Sequence, residues 1–403
     1  MLPSTHVTST DSTTATATDA GSTGAPDDLP LLSRETWAVP GGHRLRLTQH
    51  GRADGLPVLV LHGGPGSGCA PWLRRGFDAA RYRVICLDQR GAGASQPAGA
   101  TRQNRTAHLL ADLRRLRRHL AIPRWLVVGG SWGATLALAH VADQPDAAAG
   151  LLLRASFLAR DADIADFFKR STAHSDAARA AWDALAGLLP ASARSALLPA
   201  IAAQLGVVAD DAAAAIDTDP AADSNASLDN GGHADTGADT DADLDADLDI
   251  TPPPPTDAQR TLAAAWWVWE QALASDHPAD MPPSGPALDL LVARYRVQSH
   301  YLQHGCWLQS PGLPGLAARL PRVPTLLLHG TADHVCPPAG AQALHQALPH
   351  SRLQWVAGAG HDPSHPAMAA AMLAALQQAE STGGFGGLPD RASTADAATG
   401  ATP

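Results

Sequence analysis

Cysteine is scarce in this sequence, and its few occurrences lie far apart. The chain of 403 residues has only 4 cysteines, and none of them forms a C-x-x-C pair. Disulfide scaffolds and structural zinc sites depend on closely spaced cysteines, so neither is expected here. We interpret the four thiols as buried or unreactive and expect a reducing, cytoplasmic location; they are Cys69, Cys86, Cys306 and Cys336.

Long apolar runs are also missing. No run approaches the roughly 20 residues that a membrane-spanning helix requires, so a membrane is not an expected partner. The N-terminus shows no basic patch followed by an apolar stretch, so no secretory signal is expected. Aromatic residues make up 4% of the chain and form no platform with basic residues. Nucleic acid is therefore not an expected partner either.

The net charge of −10 belongs to one segment of the chain. Residues 210–250 hold thirteen Asp and no Lys, Arg or Glu, and the remainder has 29 basic against 26 acidic residues. Alternating acids at 239–245 suggest a calcium loop, but the Gly and Glu that an EF-hand needs are out of place. A flexible acidic insertion explains the segment better, and no metal site is expected.

Composition divides the chain into five parts. The Ser/Thr-rich residues 1–30 and the Gly-rich residues 381–403 contain too few large apolar side chains to offset the entropy of ordering, so we predict disordered tails. Between them we predict a core in two pieces, 31–156 and 317–380. Residues 157–316 read as an inserted helical cap that contains a disordered acidic insert at about 209–256.

Short continuous apolar runs recur in the two core pieces. Such runs are typical of parallel strands buried on both faces. They are 57–61, 83–87, 125–128, 151–153 and 325–328, and a further short strand is predicted at 353–356. Leucines at 109, 113, 116 and 120 predict an amphipathic helix between two of the runs. The alternation predicts the α/β class, with a mostly parallel sheet flanked by helices.

The sequence GGSWG at 129–133 has the form G-x-S-x-G between a predicted strand and a predicted helix. A sharp turn there would hold the hydroxyl of Ser131 at the carboxyl edge of the sheet, and flanking glycines let strand and helix approach closely. A Gly-rich turn with an incidental serine is the alternative. We predict that Ser131 is a nucleophile.

A serine nucleophile needs a base and a group that orients the base. Asp333 follows the predicted strand 325–328, and His361 follows the strand 353–356 through a Gly-containing turn. This is the order Ser, Asp, His of the hydrolases with a G-x-S-x-G turn. His334 and His365 lie nearby but do not follow a strand in this way. We predict the catalytic residues Ser131, Asp333 and His361.

The sequence HGGPG at 62–66 follows the first buried strand. Its glycines expose backbone N–H groups, and acyl transfer needs such donors for the developing oxyanion. We expect the amides of Gly64 and Trp132 to supply them. A phosphate-binding loop, the alternative, would have a Lys at the start of the following helix, and none is present.

Together these motifs resemble the proline iminopeptidase family of α/β-hydrolases. The similarity covers HGGPGSG at 62–68, DQRGAGAS at 88–95, GGSWGATLALAH at 129–140 and the pair Asp333 and His361, over about residues 40–158 and 262–377. It implies an α/β-hydrolase fold with a helical cap. It also implies removal of an N-terminal residue, typically proline, from peptides.

The resemblance further implies a substrate-binding set. Glu270, in the Trp-rich stretch 265–270, would bind the substrate amine through a charge-assisted hydrogen bond. Arg154 and Phe157 match the family's R-x-x-F, and Phe157 would line a small apolar pocket. Where the family has a second Glu, two positions before a His-Tyr pair, this chain has Gln298, which offers no Coulomb attraction.

The sequence thus predicts a serine aminopeptidase that needs no metal or organic cofactor and acts on peptides with a free N-terminus. Two alternatives remain: an esterase or amidase on the same scaffold, because fold does not set substrate, and a catalytically inactive binding module. The complete triad argues against the second. Haloalkane or epoxide hydrolysis is disfavoured because a carboxylate would replace Ser131.

Overall fold

The computed structural model of the protein describes residues 29–207, 249–275, 281–308, 312–318 and 320–382. Most of both predicted tails and of the acidic insert therefore lies outside the described residues. The end of the predicted insert is an exception. Ile250 is buried, and the carbonyl of Pro253 accepts a hydrogen bond from Arg296 at 3.1 Å. The C-terminal end of the predicted insert thus contacts the buried guanidinium of Arg296 in α7.

The described residues form one eight-stranded sheet. Its order is β1-β2-β4-β3-β5-β6-β7-β8. β2 pairs antiparallel with β1 and β4, and every pair from β4 to β8 is parallel, which confirms the predicted fold class. The strands are β1 (Leu31–Val39), β2 (His43–Gly51), β3 (Leu56–Leu61), β4 (Tyr82–Leu87), β5 (Trp125–Gly130), β6 (Ala148–Arg154), β7 (Thr325–Gly330) and β8 (Ser351–Val356).

Helices cover both faces of the sheet and fill the connection between β6 and β7. Four helices belong to the core connections: α1 (Thr106–His119), α2 (Trp132–Asp143), α9 (Pro338–Ala347) and α10 (Pro366–Thr382). Six lie between β6 and β7: α3 (Asp161–Phe167), α4 (Asp176–Gly187), α5 (Leu197–Gln204), α6 (Asp257–Ala274), α7 (Pro286–Gln303) and α8 (Gly312–Ala317). The last of these packs against α2 and α9.

The central strands, such as β3, are predominantly apolar because both of their faces are buried. Along β3, Leu59 and Leu61 join the larger hydrophobic cluster, which includes the residues of α1, α2 and the helices between β6 and β7. Val58 and Val60 point to the opposite face and join Leu376 and other residues of α10. A strand packed between two apolar layers has no polar face, which explains the continuous runs in the sequence.

The path of the chain creates a crevice between β3 and β5. β3 lies between β4 and β5 in the sheet, so the chain winds toward one edge after β3 and toward the other edge after β5. Parallel sheets bind ligands at such a switch point, outside the carboxyl ends of the strands. HGGPG follows β3 and Ser131 follows β5, so the fold brings these two motifs to the same crevice.

Candidate active site

Ser131 lies in a strained turn between β5 and α2. Its φ of 56° and ψ of −124° are unusual for a residue with a side chain. A Cβ on Gly133 would lie 2.1 Å from the carbonyl oxygen of Leu61, and one on Gly129 would lie 2.3 Å from that of Gly133. Only glycine fits at these two positions, so the motif forces the turn by close backbone approach.

Asp333 and His361 form a hydrogen-bonded pair. The Nδ1 of His361 lies 2.9 Å from the Oδ2 of Asp333. The Oδ1 of Asp333 accepts the N–H groups of Val335 and Cys336 at 3.0 and 2.8 Å. Burial opposes the charged form of Asp333, but the neighbouring imidazoles and backbone donors outweigh it and lower the pKa of this carboxyl. The geometry suits an imidazole whose Nδ1–H donates to a carboxylate.

The loop that bears His361 is held on two sides. The carbonyl of Ala274, the last residue of α6, accepts the backbone N–H of His361 at 3.1 Å and that of Asp362 at 3.3 Å. The second contact comes from the end of β6, where Nη1 of Arg154 donates to the carbonyl of His361 at 2.7 Å. The backbone of His361 is thus held by α6, a helix of the β6–β7 connection, and by Arg154, a buried residue of the core.

Ser131 shares its surroundings with the pair. The backbone N–H of Ser131 donates to the carbonyl of Arg154 at 2.9 Å, so one residue contacts both Ser131 and His361. The thiol of Cys336, on the loop of Asp333, also interacts with Ser131. Burial and the charge of Asp333 raise the pKa of that thiol, and its hydrogen bond with Ser131 opposes the rise. The structure therefore brings the three predicted catalytic residues to one edge of the sheet.

The HGGPG loop passes beside Ser131. A Cβ on Gly63 would lie 3.6 Å from the Cβ of Ser131 and 3.2 Å from the carbonyl oxygen of Gly130. Gly64 follows with a φ of 112°, a conformation that favours glycine. The loop and the first amide of α2, that of Trp132, therefore approach Ser131 from two sides. This arrangement fits the predicted oxyanion donors.

Gln89 of the DQRG motif links the two loops, a role that the sequence reasoning missed. Its Oε1 accepts the indole N–H of Trp132 at 2.9 Å, and its Nε2 donates to the carbonyl of His62 at 3.2 Å. Its backbone N–H donates to Nε2 of His62 at 3.0 Å. The sequence did hold a signal for this role, because DQRG follows directly after β4, and β4 is the neighbour of β3 in the sheet.

Arg154 is a buried residue at the end of β6 that contacts the loop of His361. Its side chain is buried, and a Cβ on Gly130 would lie 2.8 Å from its Nη2. Burial lowers the pKa of the guanidinium, while Asp333 opposes this. Sequence reasoning expected Arg154 to bind substrate and did not anticipate its hydrogen bond with the carbonyl of His361. Phe157 is half-buried, and its carbonyl accepts the hydroxyl of Thr135 at 2.6 Å.

Glu270 and Gln298 lie together between α6 and α7. Gln298 Nε2 donates to Oε1 of Glu270 at 2.7 Å. The other oxygen of Glu270 accepts from Arg294 at 2.7 Å and from the hydroxyl of Tyr295 at 2.8 Å. Glu270 is buried, but a cation of the protein already pairs with it. The sequence did not indicate this pairing.

A small pocket opens on the outer side of the His361 loop. Its volume is about 160 Å³, and its lining includes Ala274, Gly360 and three histidines: His174, His334 and His365. The rings of His174 and His334 stack with centroids 3.9 Å apart. The two histidines that could be confused with His361 in the sequence thus line this pocket.

Within the part of the chain that the structure describes, no group of three or more His, Cys, Asp or Glu side chains is placed to hold a metal ion. None of the described helices is both long and apolar enough to cross a membrane.

Comparisons with known proteins agree with this geometry. A family model described as the alpha/beta hydrolase fold matches residues 57–366. A proline iminopeptidase of Arabidopsis thaliana is 33% identical over 342 residues, covering 83% of this chain and 77% of the relative. One from Xanthomonas citri is 33% identical over 331 residues, covering 81% and 90%. The solved structure of VinJ covers 88% of this chain and 99% of its own, with a TM-score of 0.52 and 17% identity.

The fold, the Ser131 turn and the matching family model define the class, which is that of the α/β-hydrolases. The similarity to VinJ supports the fold alone. Within this class, the chain belongs to the proline iminopeptidase family. The resemblance drawn from the motifs is confirmed, as is the prediction that the protein is an enzyme of the serine hydrolase type.

Proposed function

We propose that the protein is a serine aminopeptidase that releases the N-terminal residue of a peptide, preferentially proline, through an acyl-enzyme intermediate on Ser131. The supporting observation is the Asp333–His361 pair, which Arg154 connects to the Ser131 turn. Membership in the proline iminopeptidase family supports the substrate. The partner in this reaction is a peptide with a free N-terminus, and no metal or organic cofactor takes part.

The proton path follows from the hydrogen bonds of His361. With Nδ1–H donating to Asp333, Nε2 is left as the basic nitrogen. Ser131 Oγ attacks the carbonyl carbon of the first residue and gives its proton to Nε2. The imidazolium then returns this proton to the leaving amine, and the shortened peptide departs. Water then attacks the carbonyl carbon of the acyl-serine ester and gives a proton to Nε2. The C–Oγ bond breaks, the imidazolium returns that proton to Ser131 Oγ, and the first residue leaves as the free amino acid.

The backbone amides of Gly64 and Trp132 stabilise the oxyanion that forms in both steps. Preorganised donors act strongly because they need no reorientation when the charge appears, and removing one typically costs about 100- to 1000-fold in rate. Gln89 supports both sides of this oxyanion hole through Trp132 and His62. Phe157 packs on the ring of the first residue, and Glu270 with Gln298 receives its amino group.

Substrate comparison tests this function. Wild-type protein is expected to release 2-naphthylamine from L-prolyl-2-naphthylamide, and Ser131→Ala to lose this activity by about 10⁴-fold or more. A fluorophosphonate probe should label the wild type and not Ser131→Ala. Thr135→Val, one turn further along α2, is a matched control that should retain labelling.

The esterase or amidase alternative predicts a different result. In that case 4-nitrophenyl acetate is hydrolysed, L-prolyl-2-naphthylamide is not, and Glu270→Ala changes neither rate. Failure of the fluorophosphonate probe to label Ser131 in folded protein would instead favour a binding module without catalytic activity.

A further inference from the structure

The carboxylate that would receive the substrate amine is neutralised by the protein itself. Glu270 is 8% exposed and is bonded to Arg294, Tyr295 and Gln298 of α7. Burial raises the pKa of Tyr295 well above its usual value, so its phenol is neutral. Arg294 is the cation among the three, and burial of its guanidinium is offset by the charge of Glu270. The four side chains together are electrically neutral.

Two polar atoms of this group remain without a partner among the described residues. They are Nε of Arg294 and Oε1 of Gln298. Gln298 is 5% exposed, and its amide nitrogen is committed to Glu270. A buried acceptor that makes no hydrogen bond costs free energy, so the unpaired Oε1 indicates a ligand donor. An N–H of a bound amine would satisfy it without any charge on the protein side.

The helix that carries three of these side chains, α7, packs on the loop that passes Ser131. A Cβ on Gly66 would lie 2.7 Å from the carbonyl oxygen of Arg294 and 3.1 Å from the Cβ of Val297. The same loop approaches Ser131 at Gly63. The backbone of α7 at Arg294 therefore packs on the loop that also passes Ser131. In the proposed function, the amino group of the first residue is received on this side of the loop.

We propose that Arg294 sets the N-terminal specificity of this enzyme by neutralising Glu270. The subsite then binds a first residue of proline size with little preference for an ammonium over an uncharged group of the same shape. This inference rests on the proposed function for its substrate. What remains for the amine is one neutral hydrogen bond, worth up to about tenfold in affinity.

The test measures binding in the full chain carrying Ser131→Ala, so that turnover does not interfere. The probes are L-prolyl-2-naphthylamide and its uncharged isostere cyclopentanecarbonyl-2-naphthylamide, with dissociation constants from calorimetry at pH 7. The prolyl ligand should bind less than about tenfold more tightly than the isostere. Adding Arg294→Met should raise this preference by at least about tenfold, because Glu270 then acts as an unpaired carboxylate.

Three further variants separate charge from damage to the fold. Arg294→Lys keeps the cation and should keep the low preference. Gln298→Glu adds a carboxylate without removing Arg294 and should raise the preference, which tests the same claim if Arg294→Met does not fold. Arg260→Met removes a guanidinium on α6 that pairs with Asp257 and Asp289 at the surface, and should change nothing.

Several results would overturn the inference. They are a preference for the prolyl ligand above about 100-fold in the Ser131→Ala parent, no change with either Arg294→Met or Gln298→Glu, or no binding of either ligand. Failure of the proposed function looks different. Wild-type protein would then not turn over L-prolyl-2-naphthylamide, while the two dissociation constants still respond to Arg294 as described.

Discussion

The side chain of Arg154 holds the backbone of His361. Its Nη1 donates to the carbonyl of His361 at 2.7 Å, while its own carbonyl accepts the N–H of Ser131 at 2.9 Å. One buried residue at the end of β6 thus contacts the backbones of two residues that are 230 positions apart in the chain.

Arg154→Met is expected to lower kcat by about 10- to 100-fold with little change in KM, because the His361 loop loses an anchor and small displacements are costly in catalysis. Arg154→Lys should recover part of the loss. The measurement is steady-state kinetics on L-prolyl-2-naphthylamide. Arg160→Met, which removes a guanidinium paired with Asp163, serves as control. If Arg154→Met instead raised KM and left kcat unchanged, Arg154 would contact the substrate, as the sequence reasoning expected.

Asp333→Asn should lower kcat by about 10⁴-fold, since the amide cannot hold the required tautomer of His361 or stabilise its charged form. Burst kinetics would show that the acylation step is affected. Asp362→Asn, one residue after His361 and bonded to Ser364, is a matched control with near-normal activity expected. Comparable losses in the two variants would argue against a specific role of Asp333.

Asp333 also makes stability depend on pH. Its pKa in the folded protein lies below the ordinary value of 3.8, so the unfolded chain binds this proton more readily. The stabilisation from the carboxylate is therefore present above that value and lost as the pH falls through the folded pKa. Urea midpoints of wild type and Asp333→Asn should differ by a constant amount above about pH 5 and converge in more acidic solution. Divergence on acidification would contradict the assignment.

Gln89→Ala should reduce kcat by about 10- to 100-fold, because the loops that bear both oxyanion donors lose their common support. The unfolding free energy should also fall by about 1–3 kcal/mol, as the carbonyl of His62 and the indole N–H of Trp132 lose a partner. Gln96→Ala is the control, since that side chain is exposed. If Gln89→Ala lost stability but kept full activity, the role of Gln89 would be purely structural.

Gly133→Ala should lower the free energy of unfolding by about 3 kcal/mol or more, because the added methyl meets the carbonyl of Leu61. Gly187 is the natural comparison. It lies at the end of α4, with nothing within 4 Å of an added Cβ, so Gly187→Ala should stabilise the protein by about 0.5–1 kcal/mol. Chemical denaturation measures both. If the two substitutions changed the free energy of unfolding equally, close backbone approach would not explain the glycine at position 133.

Much of the sheet could be predicted from local pattern. The five apolar runs correspond to β3 through β7, because strands covered on both faces are predominantly apolar, and the short strand predicted at 353–356 corresponds to β8. The hairpin β1–β2 was not predicted. It alternates exposed and buried residues at the edge of the sheet, and its sequence has no continuous run to reveal it. The anchoring of Pro253 by Arg296 was missed for a different reason, since the two are 43 residues apart in sequence.

By itself, the sequence predicted the alternation of buried strands and helices from β3 onward and the turn at Ser131, and it singled out Asp333 and His361 as candidates. These follow from hydrophobic period and from glycine spacing, which act over a few residues. Tertiary structure alone decided that Arg154 supports His361, that Gln89 joins two loops and that Arg294 neutralises Glu270. Each of these depends on where a long polar side chain ends after helices and strands have packed, and no spacing along the chain encodes that position.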